Sequence, residues 1–362
     1  MKLKILQIVY SGIGGTGSVA TALVEGDKKK VFTHELLFSG VEKMFSGYEE
    51  LCKKKKINYY KYDKIKSSII RDYKVFEAIK KNNPNIVIFH GHNYFMTIIL
   101  SIFYKFKLIY IEHSPLSYRT LKNFFLNYII FFFFDKIIYL YSDYKKEILN
   151  NQKILNIFQK KITIVPNGVS INDRVLKTKS NIFRIGMISR HSKGKRQMLL
   201  VDAIYRIKKN NPKIRIKLHL LGNGENFNNI RNIIKKKKLN KEIILVKSLP
   251  EGKLLKWFSK IDLYCHLSDD EGLSTAILHA LSNKTLLMVS KNKGNKFLKN
   301  HTFYTYNNLK DVVKNIIYVI NNISFFNKRI NIGYGFVKKH YSNEKMFKRY
   351  CDIFLDLHAK SN

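Results

Sequence analysis

From one end of this 362-residue chain to the other, short runs rich in Ile, Val and Leu alternate with longer, lysine-studded amphipathic stretches. Runs that are apolar throughout suit strands buried on both faces, and the amphipathic stretches supply the crossovers that parallel strands require. The alternation predicts an α/β protein with parallel sheets. A first series places strands at residues 4–10, 31–38, 86–89, 108–111, 136–141 and 162–165, and Pro166-Asn167-Gly168 closes it with a turn signal. The polar stretch 170–181 reads as a linker. A second series follows at 183–188, 217–221, 243–246, 261–266 and 286–289. Two doubly wound domains result, for which a 45% hydrophobic composition supplies ample core material. No fixed-period repeat is visible.

The formal charge is +40, with lysine runs at 53–56 and 235–238. Such a surface favours anionic partners: nucleic acid, an anionic membrane face or a diphosphate-bearing substrate. Lys, Asn and Ile are abundant throughout, so part of the excess reflects compositional bias. The chain lacks the glycine-aromatic signature of a common RNA module and any zinc-finger framework, which disfavours nucleic acid. Cys52, Cys265 and Cys351 are odd in number and widely spaced, in contexts resembling a loop, a strand and a helix, which fits a reducing cytosol. Lys2 and Lys4 precede an apolar run, but Gln7, Ser11 and the glycines at 12–17 interrupt it too early for a secretory signal. The longest apolar run, 124–134 with Asn127 inside, is too short to span a bilayer. It reads as a helix that either packs in the core or dips an aromatic surface into lipid.

Several motifs carry chemistry. The glycines at 12–17, including Gly14 and Gly15, follow the first strand in the pattern of a phosphate loop, where a bare backbone approaches a diphosphate. The dinucleotide version wants an acid at the end of the next strand, and that strand ends in Ser39-Gly40, which disfavours NAD; a tight strand-to-helix turn explains the glycines equally. His90-Gly91-His92 has the spacing of metal ligands, yet no cysteine or acid lies close to complete a site, and no metal is expected. His113, in a loop after a strand, either touches substrate or serves the structure. Arg190 and Lys195 follow the strand 183–188, where a guanidinium and an ammonium can neutralise a departing diphosphate without metal, unless they are simply part of a basic solvated loop. Residues 269–281 join an acid-and-glycine loop to an apolar helix. The first free amides of that helix, around Ser274 to Ala276, attract phosphate, and Glu271 just before them can hold sugar hydroxyls. Helical spacing sets His279 and Thr275 opposite Ile277, Leu278 and Leu281. Asp269 and Glu271 also have the spacing of a divalent-ion pair, a reading the nearby basic side chains make unnecessary. An ordinary strand, loop and helix with solvated acids remains the alternative.

In this order the motifs resemble the retaining glycosyltransferases of family 4, whose GT-B fold has two Rossmann-like, doubly wound parallel-sheet domains facing across a cleft. The resemblance rests on the glycine loop at 12–17, Glu112-His113, the strand within 135–142, Val165-Pro166-Asn167-Gly168-Val169, Arg190 with Lys195, Leu221-Gly222-Asn223-Gly224, Glu271-Gly272-Leu273 and the terminal helix opening at Tyr341-Ser342-Asn343-Glu344-Lys345-Met346. It implies an acceptor-side domain over 1–172, a nucleotide-sugar domain over 182–335 and a C-terminal helix, 336–362, crossing back to the first. It further implies that Arg190 and Lys195 hold the donor diphosphate, Glu271 positions the donor sugar, and Gly272, Leu273, Ser274 and Thr275 line sugar and phosphate. Gly14, Gly15, Gly222 and Gly224 become substrate-binding positions, and His113 lies near the reacting sugar. The implied activity is retaining transfer of a hexose from a nucleotide-diphosphate sugar to a lipid-linked or other membrane-bound glycan, in surface polysaccharide synthesis such as O-antigen or capsule. No cofactor, metal or nucleic acid is expected, and the protein is placed in the cytoplasm, peripheral at the inner face of the membrane against its anionic surface. A sugar-nucleotide isomerase or hydrolase sharing the two-domain architecture is the competing enzyme. Two departures stand out: His279 occupies the place of the family's second glutamate, which contacts ribose, and Lys293-Gly294-Asn295-Lys296 lacks the glutamate common after the next strand. Imidazole makes one hydrogen bond where a carboxylate takes two hydroxyls.

Overall fold

The computed structural model describes residues 2–359 apart from 13, 92–94, 102, 105, 114–120, 174–176, 179, 248, 250, 299 and 300. It divides into two compact units, residues 1–169 with 341–362, and residues 170–340.

The first unit runs β1 (Lys4–Tyr10), α1 (Gly15–Gly26), β2 (Thr33–Ser39), α2 (Ser46–Lys55), β3 (Asn58–Tyr62), α3 (Ser68–Asn82), β4 (Ile86–His90), α4 (Phe95–Ser101), β5 (Lys107–Glu112), α5 (Leu121–Phe133), β6 (Lys136–Tyr139), α6 (Ser142–Asn151), a 3-10 stretch (Lys153–Lys161) and β7 (Ile162–Ile164). Its strands pair in parallel in the order β3-β2-β1-β4-β5-β6-β7. Side chains alternate across a strand, so Leu6 and Ile8 of β1 join one core with Val75, Ile130 and Phe131, while Val9 joins the opposite one with Leu36 and Phe38. Both faces are therefore covered, and Ile5, Leu6, Ile8 and Val9 are fully buried. Gln7, between them, is the buried polar exception.

The second unit runs β8 (Phe183–Ile188), α7 (Gln197–Asn210), β9 (Ile216–Leu221), α8 (Phe227–Lys236), β10 (Ile243–Val246), α9 (Glu251–Phe258), β11 (Leu263–His266), α10 (Thr275–Ser282), β12 (Leu286–Ser290), a 3-10 stretch (Lys293–Leu298), β13 (Phe303–Thr305), α11 (Leu309–Asn322), a 3-10 turn (Ile323–Phe326) and α12 (Asn327–His340). The strand order is β10-β9-β8-β11-β12-β13, again parallel. The two sheets are those of the GT-B fold.

Three local expectations change. The first helix begins at Gly15 rather than near Val19, so Gly15 and Gly17 belong to its first turn. Cys52 lies buried in α2, not in a loop, because Leu51 and Cys52 face the core while Lys53, Lys54 and Lys55 end the helix in solvent. The terminal segment is two helices: α12 stops at His340 and α13 (Asn343–Ala359) starts after a break. At the break Val169 bridges Ser342, with Val169 N–H donating to Tyr341 O and Asn343 N–H to Val169 O. Thus α13 alone, not the helix from 336, packs in the first unit, where Phe347 and Phe354 meet Phe32 edge to face.

The apolar run at 124–134 is largely core. Leu126, Ile130, Phe131 and Phe134 are buried, and Asn127 donates to Gln152 Oε1 at 2.9 Å, which satisfies the one polar group inside. Phe132 and Phe133 alone of its described last turn stay exposed.

Candidate active site

In each sheet the strand order reverses at one point, between β1 and β4 in the first and between β8 and β11 in the second. The carboxyl ends of the flanking strands at such a reversal are where open parallel sheets bind ligands. In the second unit β8 delivers residues 189–196 there, and β11 delivers residues 267–274.

The first of these loops is clamped from below. Gly222 has φ +142°, and a Cβ on it would stand 1.9 Å from Ser189 O; Gly224, at φ +154°, would meet His191 O at 2.5 Å. Glycine is the residue that tolerates both the backbone angle and the approach. The two expected substrate-binding glycines thus bear directly on the loop carrying Arg190. Gln197 Nε2 donates to Ser189 Oγ and to Arg190 O, each at 2.8 Å, fixing that loop to the start of α7. The Arg190 side chain is exposed and has no hydrogen-bond or ion-pair partner among the described residues.

The second loop is tied to the first. Asp269 N–H donates to Gly194 O at 2.9 Å, and Arg196 Nε lies 2.5 Å from Asp269 Oδ1. Gly294 presses on it from the other side, since a Cβ there would come within 1.7 Å of Glu271 O. These ties bring Lys195 Nζ to 2.5 Å from Glu271 Oε2. The same oxygen lies 2.6 Å from His266 Nε2, and His266 is 3% exposed in its side chain. A carboxylate only accepts, so His266 Nε2 carries a proton toward it. Tyr264 Oη, 3.3 Å from His266 Nδ1 and tied to the backbone of Ile188, backs the ring. Burial pushes the Glu271 pKa up, but the charge and hydrogen bond of His266, then those of Lys195, outweigh it and draw the group down to about 2. Glu271 is therefore ionised across the neutral range.

Immediately after this carboxylate α10 begins, with Ser274 at its N-cap and no side chain capping it. The N–H groups of Thr275, Ala276 and Ile277 have no acceptor within the helix, and such an end attracts phosphate. Gly272 and Leu273 are buried behind it, and Ser274 and Thr275 are half-buried at its mouth. His279, one turn on, is half-buried and stacks on Phe258 with centroids 6.5 Å apart. Burial lowers its pKa to about 4, so its imidazole is neutral near pH 7. His266 is not singled out by the sequence because a histidine in a buried strand resembles filler; its signal is the acid five residues on, where the loop can fold back.

In the first unit the glycine loop is already paired: the Tyr48 hydroxyl donates to Gly14 O and accepts from Gly14 N–H. Gly15 is exposed and opens α1. His113, after β5, is half-buried, with Nε2 2.9 Å from His90 Nδ1 and the rings 14° from parallel. Burial lowers the pKa of His90 well below the usual value and that of His113 to about 4. His92 and the Ser114-Pro115 dipeptide lie outside the described residues. Among the described residues no three His, Cys, Asp or Glu side chains gather as a cation site.

A family model described as Glycosyltransferase Family 4 matches residues 13–173, and one described as Glycosyl transferases group 1 matches residues 170–335. No curated protein sequence matches the chain. Among solved structures, HepE of Anabaena in complex with UDP-glucose shares 15% identity over 98% of this chain and 100% of its own, with a TM-score of 0.78. A glycosyltransferase from Rickettsia africae ESF-5 shares 17% over 98% of each chain, at 0.74. The lipopolysaccharide outer core galactosyltransferase WaaB, in its apo form, shares 17% over 98% of this chain and 99% of its own, at 0.63.

Proposed function

We propose that this chain, which belongs to the GT-B glycosyltransferases, moves a sugar from a nucleotide-diphosphate donor to a hydroxyl of a lipid-linked or other membrane-bound glycan, with retention at the anomeric carbon. The observation that carries the donor assignment is the convergence of Lys195, Glu271 and the uncapped start of α10 on one spot. Cleaving a glycosyl-diphosphate bond places negative charge on the departing oxygen, and an ammonium beside free helix amides is arranged to stabilise it. Glu271, held ionised, accepts hydrogen bonds from sugar hydroxyls; Arg190, exposed and unpaired, supplies a second charge to the phosphates. His113 of the first unit contacts carbohydrate. HepE, of the same fold, is described in complex with UDP-glucose.

Retention is supported by the state of the loop carboxylates. An inverting transfer needs a base free to deprotonate the acceptor, and here Asp269 is paired with Arg196, Asp270 accepts the Glu271 N–H, and Glu271 is shared by Lys195 and His266. No carboxylate of this loop is unpaired, which fits a transfer in which the departing phosphate receives the acceptor's proton on the face the nucleotide leaves.

A membrane-bound acceptor is supported by the +40 charge and by one exposed apolar patch. Ile69, Ile70 and Tyr73 are 71%, 53% and 60% exposed at the start of α3, and exposed Met96 is tied there by its N–H on Asp72. Lys64, Lys66 and Lys74 flank them, all exposed. Because α3 follows β3 and His113 follows β5, this patch lies at the carboxyl ends of the strands, as His113 does. Phe132 and Phe133, the exposed end of the aromatic helix, lie at the opposite ends of the strands, where α5 returns to β6. Among the described residues no helix is long and apolar enough to cross a membrane. The proposed place of action is the cytoplasmic face of the membrane, with surface-polysaccharide synthesis as the setting.

The test begins with a thermal-stabilisation screen of nucleotide sugars, then product analysis with the stabilising donor. Lys195→Ala should lower turnover by about 100-fold or more. Full activity in that variant removes the donor mechanism, and product formed equally without acceptor would assign a hydrolase or isomerase instead. In flotation with anionic vesicles at low salt, serine at Ile69, Ile70 and Tyr73 together should lower the bound fraction by about tenfold or more. Serine at Phe132 and Phe133 should leave it unchanged; absence of binding by the parent removes the membrane reading.

A further inference from the structure

A buried chain of hydrogen bonds in the first unit has only one consistent proton arrangement. It starts at the carbonyl of Ala20 in α1, an acceptor, to which the Gln7 amide presents Nε2 at 3.3 Å. The other end of that amide, Oε1, is then the group facing His90 Nε2 at 3.0 Å. Turning the amide around would set oxygen against oxygen at one end, so its orientation is forced. Since Oε1 only accepts, His90 Nε2 carries a proton.

His90 is fully enclosed on β4, at the reversal point beside β1, and burial keeps its ring neutral near pH 7. A neutral imidazole has one N–H, so His90 Nδ1 is a bare lone pair. It lies 2.9 Å from His113 Nε2. Two lone pairs do not face each other at that distance, so His113 donates from Nε2 and, also neutral, leaves Nδ1 unprotonated. No hydrogen-bond partner of His113 Nδ1 stands among the described residues, and the side chain is only half-buried.

We infer that Gln7 and His90 are positioning residues that fix the tautomer of His113, so that His113 offers Nδ1 as an acceptor-only group to a carbohydrate hydroxyl. The carbohydrate assignment rests on the function proposed above; the tautomer does not. An acceptor-only nitrogen selects a ligand group with a proton to give, so a sugar with fluorine at the contacted position is refused while an amino sugar is kept. This explains why a polar residue sits in the middle of the central strand: the Gln7 amide reads the direction of a helix carbonyl and passes it through two rings to the sheet edge.

The test uses the full chain labelled with ¹⁵N-histidine and long-range proton–nitrogen correlation, with the His113 signals assigned by their loss in His113→Gln. The expected result at pH 7 is His113 protonated at Nε2 and bare at Nδ1; protonation at Nδ1, or at both nitrogens, overturns the inference. Gln7→Met deletes the acceptor at His90 Nε2, releases the order of protons along the chain and should leave a mixture of His113 Nε2–H and Nδ1–H forms. Turnover of the donor found in the thermal screen should then fall, by about twofold where the two forms are equally populated. A single Nε2–H form in Gln7→Met removes Gln7 from the role. A mixture with unchanged turnover upholds the hydrogen-bond chain but removes the carbohydrate contact. Should Gln7→Met fail to fold, His90→Phe deletes the acceptor facing His113 and should leave the same mixture, and a single Nε2–H form there counts against the scheme.

Discussion

Replacing His266 with leucine isolates the residue that holds the site's carboxylate. In the parent, Glu271 Oε2 is shared between His266 Nε2 at 2.6 Å and Lys195 Nζ at 2.5 Å. Leucine fills much of the same volume but returns neither charge nor proton. A hydrogen bond involving a charged group contributes about 1.5–3 kcal/mol, equivalent to about one to two pKa units at 1.36 kcal/mol each. The Glu271 pKa, about 2 in the parent, should rise by that amount in His266→Leu. The sign follows from linkage. A carboxylate depressed in the folded state lends stability that is fully present above its ordinary value of 4.5 and is lost as pH falls toward about 2. Weakening the depression narrows that window, so the variant's carboxylate protonates at a pH where the parent's is still ionised. The assay is kcat/KM of both proteins from about pH 8 to pH 3, compared as a ratio so that titration of the donor cancels. At pH 7 the variant should be about tenfold or more slower, because the carboxylate has lost one of its two anchors. With the variant's Glu271 pKa at about 3 to 4, the ratio should fall further as pH drops through about 4. A ratio flat over the whole range would refute the claim that His266 holds the charge on Glu271.

Two other perturbations probe the scaffold. Gly294→Ala forces a Cβ against the Glu271 carbonyl, so the loop must move; we expect the second unit to lose about 1–3 kcal/mol, read by denaturant unfolding, with turnover falling in parallel. Tyr48→Phe removes both hydrogen bonds to Gly14 while keeping the ring against Gly17, and should lower the stability of the first unit by about 1 kcal/mol, with faster hydrogen exchange at the Gly14 amide.

The central strands were legible because burial on both faces demands nearly unbroken apolar runs: 4–10 and 183–188 are the observed spans of β1 and β8. The edges were not. β3, with the sequence Asn-Tyr-Tyr-Lys-Tyr, has no fully buried residue, and β13 is three residues long. Neither carries the apolar signal on which strands were placed. The position of Glu271 in a loop after a buried strand was readable, and so was the basic loop before α7. What joins them was not, because Asp269 meets Gly194 and Arg196 across the sheet by pairings between distant residues. For the aromatic run, composition left core packing and lipid contact both open, because Asn127 finds Gln152 only after α6 has folded back. His266 and Gln7 share one lesson: a polar side chain in a buried strand marks a partner elsewhere in the chain, and the sequence does not say which.

The bridge between Val169 and Ser342 has a consequence for how the protein is made. The second unit is spliced into the first, which receives its closing helix only after the entire inserted unit has been synthesised. At about 5–20 residues per second, a nascent chain spends on the order of ten seconds or longer with the α1 surface waiting for α13. The later unit can reach its native state while the earlier one is still incomplete, which reverses the usual N-to-C order of domain maturation and leaves an apolar seam for a chaperone to shield.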